Sequence, residues 1–280
     1  MTLLFIAGTF LGAPAAAEEH FLNNGVTAHR GNAAQFPENT MPAFESALKL
    51  GADWIELDIY RTKDGKLVII HDADTARVGE RTVKVADVTY EQLAKVDVAH
   101  AFRQDHELTV EACPPHRAPL LEEVLELIKS QHRTRVSIQP KQAIVDEAVA
   151  LVKRMKAELW VGFNDGDLNK MKRVKELDCS LHVFWDWSKD FDLARDLRSA
   201  EEWGFESIVV HHEAVTDEVV KAIKDAGFEL GAWTVNDADR MRQLHDMGIY
   251  RFYTDYPGLA LEVKGVAPRG ECCVESPLSL

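Results

Sequence analysis

Residues 53–60 read DWIELDIY, a stretch with the apolar content of a buried strand that nevertheless carries Glu56 and Asp58. Side chains two positions apart on a strand share a face, so both carboxylates point one way and the alternate isoleucines and leucine the other. Two ionised carboxylates held close in a partly dry place require protons, basic partners or a cation. A divalent ion with hard oxygen ligands meets this need, and salt bridges with Arg61 and Lys63 at the strand end are the alternative.

Strand-like runs alternate with helical patterns along the rest of the chain. The predicted strands are 25–31, 53–60, 66–72, 135–140, 159–163, 181–185, 207–212, 228–236 and 250–257. The predicted helices are 41–50, 120–131, 141–156, 166–177, 215–226 and 237–247. This alternation predicts parallel strands with helical crossovers. About eight repeats, with no glycine-rich dinucleotide fingerprint after the first strand, favour a closed (β/α)8 TIM barrel over an open doubly wound sheet.

Residues 73–118 interrupt the alternation with polar sequence that is poor in strand signals. A long excursion inside a compact domain is typically functional or a small subdomain, and we expect it over the mouth of the barrel. The net charge of −14, without a basic stripe, argues against nucleic acid or an anionic membrane surface as a partner.

The first 17 residues, MTLLFIAGTFLGAPAAA, resemble a secretory signal peptide cut after Ala17, although no Lys or Arg precedes the apolar run. This segment is too short to span a bilayer comfortably, so it predicts export to the periplasm or the medium rather than a membrane anchor. A hydrophobic N-terminal strand or a misplaced start is the alternative. The barrel domain is predicted over residues 18–267, and residues 268–280 form a C-terminal tail.

The four cysteines, Cys113, Cys179, Cys272 and Cys273, show no C-x-x-C spacing of a metal or redox site. In an oxidising compartment one of the adjacent C-terminal pair could bridge to Cys113. Unpaired thiols, with Cys179 buried, are the other reading, and both remain open.

Two further strand ends carry residues that suit phosphate chemistry. His29 and Arg30 end the first predicted strand and His71 ends the third run, at the rim where Glu56 and Asp58 are expected. A guanidinium binds phosphate oxygens bidentately, a divalent ion neutralises the same group, and two imidazoles move protons on and off the entering and leaving oxygens. The convergence favours hydrolysis of a phosphodiester.

Residues 29–72 contain H-R-G, P-E-N-T, E-x-D, T-x-D-G and H-D elements in fixed order over 44 residues. With these elements the stretch resembles the glycerophosphodiester phosphodiesterase family. Weaker similarity continues in VTYEQLAKV, APLLEEVLELI, AWTVN and YTDYPG, so that the resemblance covers nearly the whole mature chain. It implies a (β/α)8 barrel with a small insertion after the second β-unit, and a phosphoric diester hydrolase that releases glycerol 3-phosphate and an alcohol from deacylated glycerophospholipids.

The same resemblance implies a role for each matching residue. His29 and His71 would be the general acid and base, and Arg30 the phosphate clamp. Glu56 and Asp58 would bind one divalent metal ion, Ca or Mg. The small-molecule glycerophosphodiester is then the expected partner, whereas the headgroup, the choice of metal and the oligomeric state are left open.

One strand departs from the family pattern. Where the family usually has E-I-K, with a third acidic metal ligand and a phosphate-binding lysine, this chain has VSIQPK, with Ser137 and Gln139 at those positions. We expect Gln139 and Lys141 near the phosphate, and Ser137 to reach the ion through its hydroxyl or through water. Trp233 is expected to form an apolar wall for the glycerol or headgroup, with a core aromatic role as the alternative.

Two other functions remain open from the sequence. A related lysophospholipase D or sphingomyelinase D type of enzyme would act on intact lipid with a similar constellation of residues. A phosphodiester-binding barrel without activity would explain the changes at Ser137 and Gln139, but binding alone does not need two proton carriers such as His29 and His71.

Overall fold

The computed structural model describes residues 25–265. The predicted signal peptide of residues 1–17 and the predicted tail of residues 268–280 lie outside this range and stay predictions. Across residues 25–265, the helices are all too short or too polar to cross a lipid bilayer.

Eight parallel strands of the described chain close into a barrel, which confirms the predicted fold. The strands are β1 Val26–His29, β2 Trp54–Arg61, β3 Leu67–Ile69, β4 Arg135–Pro140, β5 Val161–Asp165, β6 His182–Trp187, β7 Ser207–His211, β8 Glu229–Trp233 and β9 Arg251–Thr254. All except β3 belong to the barrel, and β1 closes it by pairing with both β2 and β9.

Helices surround the barrel and fill the insertion. They are α1 Met41–Leu50, α2 Tyr90–Leu93, α3 His100–Asp105, α4 Leu121–Lys129, α5 Val145–Arg154, α6 Leu168–Leu177, α7 Leu193–Trp203, α8 Asp217–Asp225, α9 Ala238–Asp246 and α10 Pro257–Val263. The periodicity predicted the positions of α1, α4, α5, α6, α8 and α9. The helices α2, α3, α7 and α10 were not among the predicted ones, although Leu193, Leu197 and Trp203 of α7 pack on the core.

The side chains of β2 divide between two environments, as the alternation predicted. Ile55, Leu57 and Ile59 are fully buried in the layer between the barrel and the helices. Trp54 faces the barrel interior and meets Phe184 edge to face, with ring centroids 4.9 Å apart. Burying each large apolar side chain contributes about 1.5–3 kcal/mol to folding, which fixes the register of β2 and directs Glu56 and Asp58 inward.

The predicted strand 66–72 was expected to be one of the parallel strands, and this expectation is wrong. Its strand, β3, runs antiparallel to β2, with Ile69 opposite Ile59 and Leu67 opposite Arg61. The connection between them is too short for a crossover, since parallel neighbours need a dozen or more linking residues. β2 therefore continues as one arm of a hairpin, and β3 carries the chain back to the rim, where His71 follows it.

The insertion, residues 73–118, has a small apolar core of its own. Val85, Leu93 and Val96 are buried together with Val68 of β3. The Thr89 hydroxyl caps α2 within a complete capping box. The insertion is thus a compact subdomain packed on the β2–β3 hairpin.

The two cysteines of the described region differ in exposure. Cys113 is buried in the insertion, whereas Cys179 is exposed. The expectation of a buried Cys179 is wrong because the residue lies in the turn between α6 and β6, outside the packed face of either element. Cys272 and Cys273 lie outside the described residues, so the proposed bridge to Cys113 stays a prediction.

Candidate active site

Asp58 lies at the centre of the predicted residues on the barrel rim. Its Oδ1 is 3.0 Å from Lys141 Nζ, and its Oδ2 is 3.4 Å from Arg30 Nε. Asn39 Nδ2 donates to the same Oδ2 at 2.8 Å. Burial alone would raise the pKa of Asp58, but the charges of Lys141 and Arg30 hold it below its ordinary value. Asp58 is therefore an ionised, well-compensated carboxylate.

Glu56, the other acid of β2, has much less compensation. Its side chain is buried, and its Oε2 accepts the backbone N–H of Arg30 at 3.2 Å. The same oxygen is 3.9 Å from His29 Nε2. Burial, together with the charge of Asp58, raises the pKa of Glu56 to about 7. A carboxylate in this state gains from any positive charge brought beside it.

A tight turn after β1 directs Arg30 into the site. Arg30 and Gly31 both have positive φ angles, 55° and 86°. A Cβ at Gly31 would lie 2.8 Å from the backbone carbon of Ala43 in α1, so the turn requires glycine there. The Arg30 guanidinium thereby reaches Glu38, with Nη1 3.1 Å from Oε1, as well as Asp58.

His29 has a carboxylate partner that the sequence analysis missed. Its Nδ1 is 2.7 Å from Oδ1 of Asp255, which follows β9. Asn236 Nδ2 donates to Oδ2 of Asp255 at 2.6 Å. Burial lowers the pKa of His29, but the hydrogen bond to Asp255 and the charge of Glu56 leave it above its ordinary value. The AWTVN and YTDYPG segments contained both partners, but no pattern within them indicated contact with His29.

His71 is also paired with a carboxylate, that of the next residue, Asp72. Its Nδ1 is 2.7 Å from Asp72 Oδ1, which orients the ring and leaves Nε2 for another group. Burial lowers the pKa of His71, and the charge of Asp58 offsets only part of that effect. The site thus contains two histidine–carboxylate pairs, one on β1 and one after β3.

On β4, where Ser137 and Gln139 depart from the family pattern, Ser137 begins a chain of hydrogen bonds. Ser137, in register with Glu56, donates from its hydroxyl to Asn164 Oδ1 at 2.7 Å. Asn164 Nδ2 in turn donates to Asp186 Oδ2 at 2.9 Å. Burial raises the pKa of Asp186 to about 8. The Ser137 hydroxyl therefore donates its hydrogen bond to Asn164, inside the barrel. Lys141 donates a hydrogen bond to the side-chain oxygen of Gln139.

Trp233 is the last residue of β8. Its Nε1 donates to the Trp187 carbonyl at 3.0 Å, and its ring centroid is 5.0 Å from that of His211. The ring also packs on the apolar cluster inside the barrel. Its position allows both the predicted substrate wall and the core aromatic role.

Glu56 and Asp58 are the residues of this site that could hold a divalent ion. Within residues 25–265, no three His, Cys, Asp or Glu side chains come together in a way that could hold a metal. Mg²⁺ commonly binds through one or two carboxylates, with water and substrate phosphate in the other positions. The hard oxygens of the two acids, and the weak compensation of Glu56, fit that kind of site.

The chain matches known proteins along most of its length. The profile of the glycerophosphoryl diester phosphodiesterase family matches residues 29–259. A glycerophosphodiester phosphodiesterase of Bacillus altitudinis is 31% identical over 249 residues, which cover 85% of this chain and 97% of that protein.

Solved structures of similar proteins have the same fold. A putative glycerophosphoryl diester phosphodiesterase of Silicibacter pomeroyi superposes with a TM-score of 0.76 at 21% identity, covering 86% of this chain and 92% of that one. An Oleispira antarctica phosphodiesterase in complex with the product sn-glycerol 3-phosphate gives a TM-score of 0.74 at 23% identity, covering 86% and 96%. At these identities the likeness establishes the barrel fold.

Proposed function

Because the chain belongs to the glycerophosphoryl diester phosphodiesterase family and is a phosphoric diester hydrolase of that type, we propose that His29 and His71 carry the protons of the reaction. The observation that supports this proposal is the pair of imidazoles that carboxylates orient, His29 by Asp255 and His71 by Asp72. An imidazole held in one tautomer by a carboxylate on Nδ1 presents Nε2 for proton transfer.

In the proposed reaction, water attacks the phosphorus and the bond to the alcohol oxygen breaks. One imidazole accepts a proton from the water, and the other donates a proton to the departing alcohol oxygen. The products are glycerol 3-phosphate and the free alcohol, so atoms and protons balance. Arg30 and Lys141, the two cations beside Asp58, would bind the phosphate oxygens, with Gln139 holding Lys141 in place.

The family generally depends on a divalent metal ion. We propose that Glu56 and Asp58 bind one such ion, Ca or Mg, in this chain. When bound, the ion would supply positive charge to the phosphoryl group. Because Ser137 replaces a carboxylate, the protein contributes two acids to this site, and we expect substrate phosphate and water to complete the coordination.

The test is turnover of glycerophosphocholine, glycerophosphoethanolamine and lysophosphatidylcholine by the purified protein, followed by phosphorus NMR with Ca, with Mg and with chelator. Conversion of a glycerophosphodiester to glycerol 3-phosphate, lost in chelator, supports the proposal. Turnover of lysophosphatidylcholine alone would favour the lysophospholipase D alternative. No turnover of any of the three would favour the binding protein without activity.

Ser137→Glu is expected to tighten ion binding while weakening the ion-free fold. The new carboxylate would be buried beside Glu56, so the midpoint of thermal unfolding in chelator should fall below that of the wild type. A tenfold gain in affinity for Mg corresponds to about 1.4 kcal/mol, or roughly 3–6 °C of extra stabilisation by the ion. Calorimetry with and without Mg measures this difference.

Ser137→Gln is the matched control, because it adds similar bulk without charge. An ion-dependent shift as large in Ser137→Gln as in Ser137→Glu would remove position 137 from the ion site.

Export is a separate proposal that rests on the sequence of residues 1–17 alone. Expression of the full chain in a bacterial host, followed by N-terminal sequencing of the periplasmic fraction, tests it. A mature terminus at Glu18 is the expected result, and an uncleaved cytoplasmic protein would contradict it.

A further inference from the structure

Arg77, in the insertion, binds two carboxylates of the barrel rim at once. Its Nη1 is 2.7 Å from Oε2 of Glu38 and its Nη2 is 2.7 Å from Oε1, so the two side chains form a bidentate pair. Its Nε donates to Asp72 Oδ2, also at 2.7 Å. All three nitrogens of the guanidinium are therefore engaged in charge-assisted hydrogen bonds, which fix its plane as well as its position.

The two carboxylates that Arg77 binds also contact residues of the proposed mechanism. Oε1 of Glu38 accepts a hydrogen bond from Arg30 Nη1 at 3.1 Å. Oδ1 of Asp72 is the partner of His71 Nδ1 at 2.7 Å. Arg77 is thus joined to the phosphate clamp through one acid and to a proton carrier through the other.

We propose that Arg77 is a positioning residue that holds Arg30 and His71 in a fixed relation to each other by binding Glu38 and Asp72. The inference rests on the proposed function of the site. It also gives the insertion a role in catalysis, because the guanidinium comes from the insertion while both acids belong to the barrel rim.

Charge explains why Arg77 matters to its partners. Without it, Glu38 would have Arg30 as its principal cation and would compete with Asp58 and substrate phosphate for that guanidinium. Asp72 would lose the bond that fixes its second oxygen, and the ring of His71 would lose its fixed orientation. Displacements of about 1 Å in a catalytic group lower turnover by as much as about 100-fold.

The contribution of Arg77 to stability should be small by comparison. Its side chain is 46% exposed, and ion pairs of exposed side chains typically contribute little to the free energy of unfolding. The test can therefore separate loss of position from loss of fold.

The experiment compares Arg77→Ala with Arg81→Ala, in the full chain. Arg81 is an arginine of the same insertion with a side chain 53% exposed, and its contacts are to Glu80 and the Lys95 carbonyl, away from the site. We expect Arg77→Ala to lower kcat by about 10- to 100-fold with a smaller change in KM. Arg81→Ala should leave kcat unchanged, and both variants should unfold at similar temperatures.

Two further measurements identify the mechanism of the loss. Guanidinium ion at millimolar concentration should restore part of the kcat of Arg77→Ala and none of it in Arg81→Ala. Arg77→Lys should recover less than guanidinium does, because an ammonium cannot bind both carboxylates in the same geometry. A fall in kcat that guanidinium does not restore, or that matches a fall in unfolding temperature, would overturn the inference in favour of a structural role.

Failure of this inference differs from failure of the proposed function. If the wild type turns over substrate and Arg77→Ala matches Arg81→Ala, only the role of Arg77 is wrong. If the wild type turns over nothing, the proposed function is wrong. In that case, the affinity for sn-glycerol 3-phosphate tests whether Arg77 positions the site. Equal affinities in Arg77→Ala and Arg81→Ala would overturn its role.

Discussion

His71→Ala and His29→Ala should each lower kcat by about 100-fold or more, the usual contribution of a general acid or base. Each imidazole is bound at Nδ1 by a carboxylate, Asp72 or Asp255, so Nε2 is the nitrogen left for proton transfer. Alanine removes that nitrogen. Water in the space left by the imidazole would transfer protons without the orientation that the carboxylate gives to the ring. The loss should appear in kcat more than in KM, because the transferred protons move only in the transition state.

The matched control is His100→Ala, which removes an imidazole at the first residue of α3 in the insertion. Its turnover should equal that of the wild type. Steady-state kinetics with the best glycerophosphodiester, alongside thermal unfolding of all three variants, checks the comparison. A near-normal rate in either site variant would show that its histidine is not a proton carrier.

Asp255→Asn is expected to have an effect of similar size, about 100-fold in kcat, without touching the reacting groups. Asn236 donates to Oδ2 of Asp255 at 2.6 Å, so an amide oxygen at that place keeps the contact and turns the NH2 group toward His29. His29 would then have to accept at Nδ1 and would be fixed in the opposite tautomer. Replacing a carboxylate by its amide in a histidine–aspartate pair is costly for this reason.

Asp239→Asn on α9 is the control, because that carboxylate is exposed and pairs only with Arg242 among the contacts of the described chain. Both variants should fold normally, as circular dichroism and thermal unfolding would establish. If Asp255→Asn kept the wild-type kcat, the orientation of His29 would not depend on Asp255.

The sequence predicted the barrel because alternation of strands and helices is a local pattern. It failed at β3, where the hairpin was decided by the few residues between Arg61 and Leu67 rather than by the composition of the strand. It also left out α7, although Leu193, Leu197 and Trp203 recur at helical spacing in that helix and pack on the core. The direction in which β3 pairs depends on the length of the connection before it, which apolar periodicity does not report.

The site was predictable to the extent that its residues end barrel strands. His29, Glu56 and Asp58 could be placed together because the carboxyl ends of parallel strands meet at one rim. Asp255 could not, since it is 226 residues from His29 and the contact exists only through barrel closure. Arg77 lies in a segment without periodicity, so its partners follow from the tertiary structure alone.

Because the barrel closes between β1 and β9, the orientation of His29 depends on a residue near the C-terminal end of the barrel. Within residues 25–265, the last strand, β9, pairs with the first, β1, and Asp255 directly follows β9. While the chain is being synthesised, the acids of β2 and the Arg30 turn emerge early, but the partner that orients His29 emerges near the end. A ribosome-bound chain that lacks β9 would therefore hold most of the phosphate-binding groups without an oriented imidazole on β1. If His29 is a proton carrier as proposed, we expect hydrolysis only after the final strand of the barrel has been added.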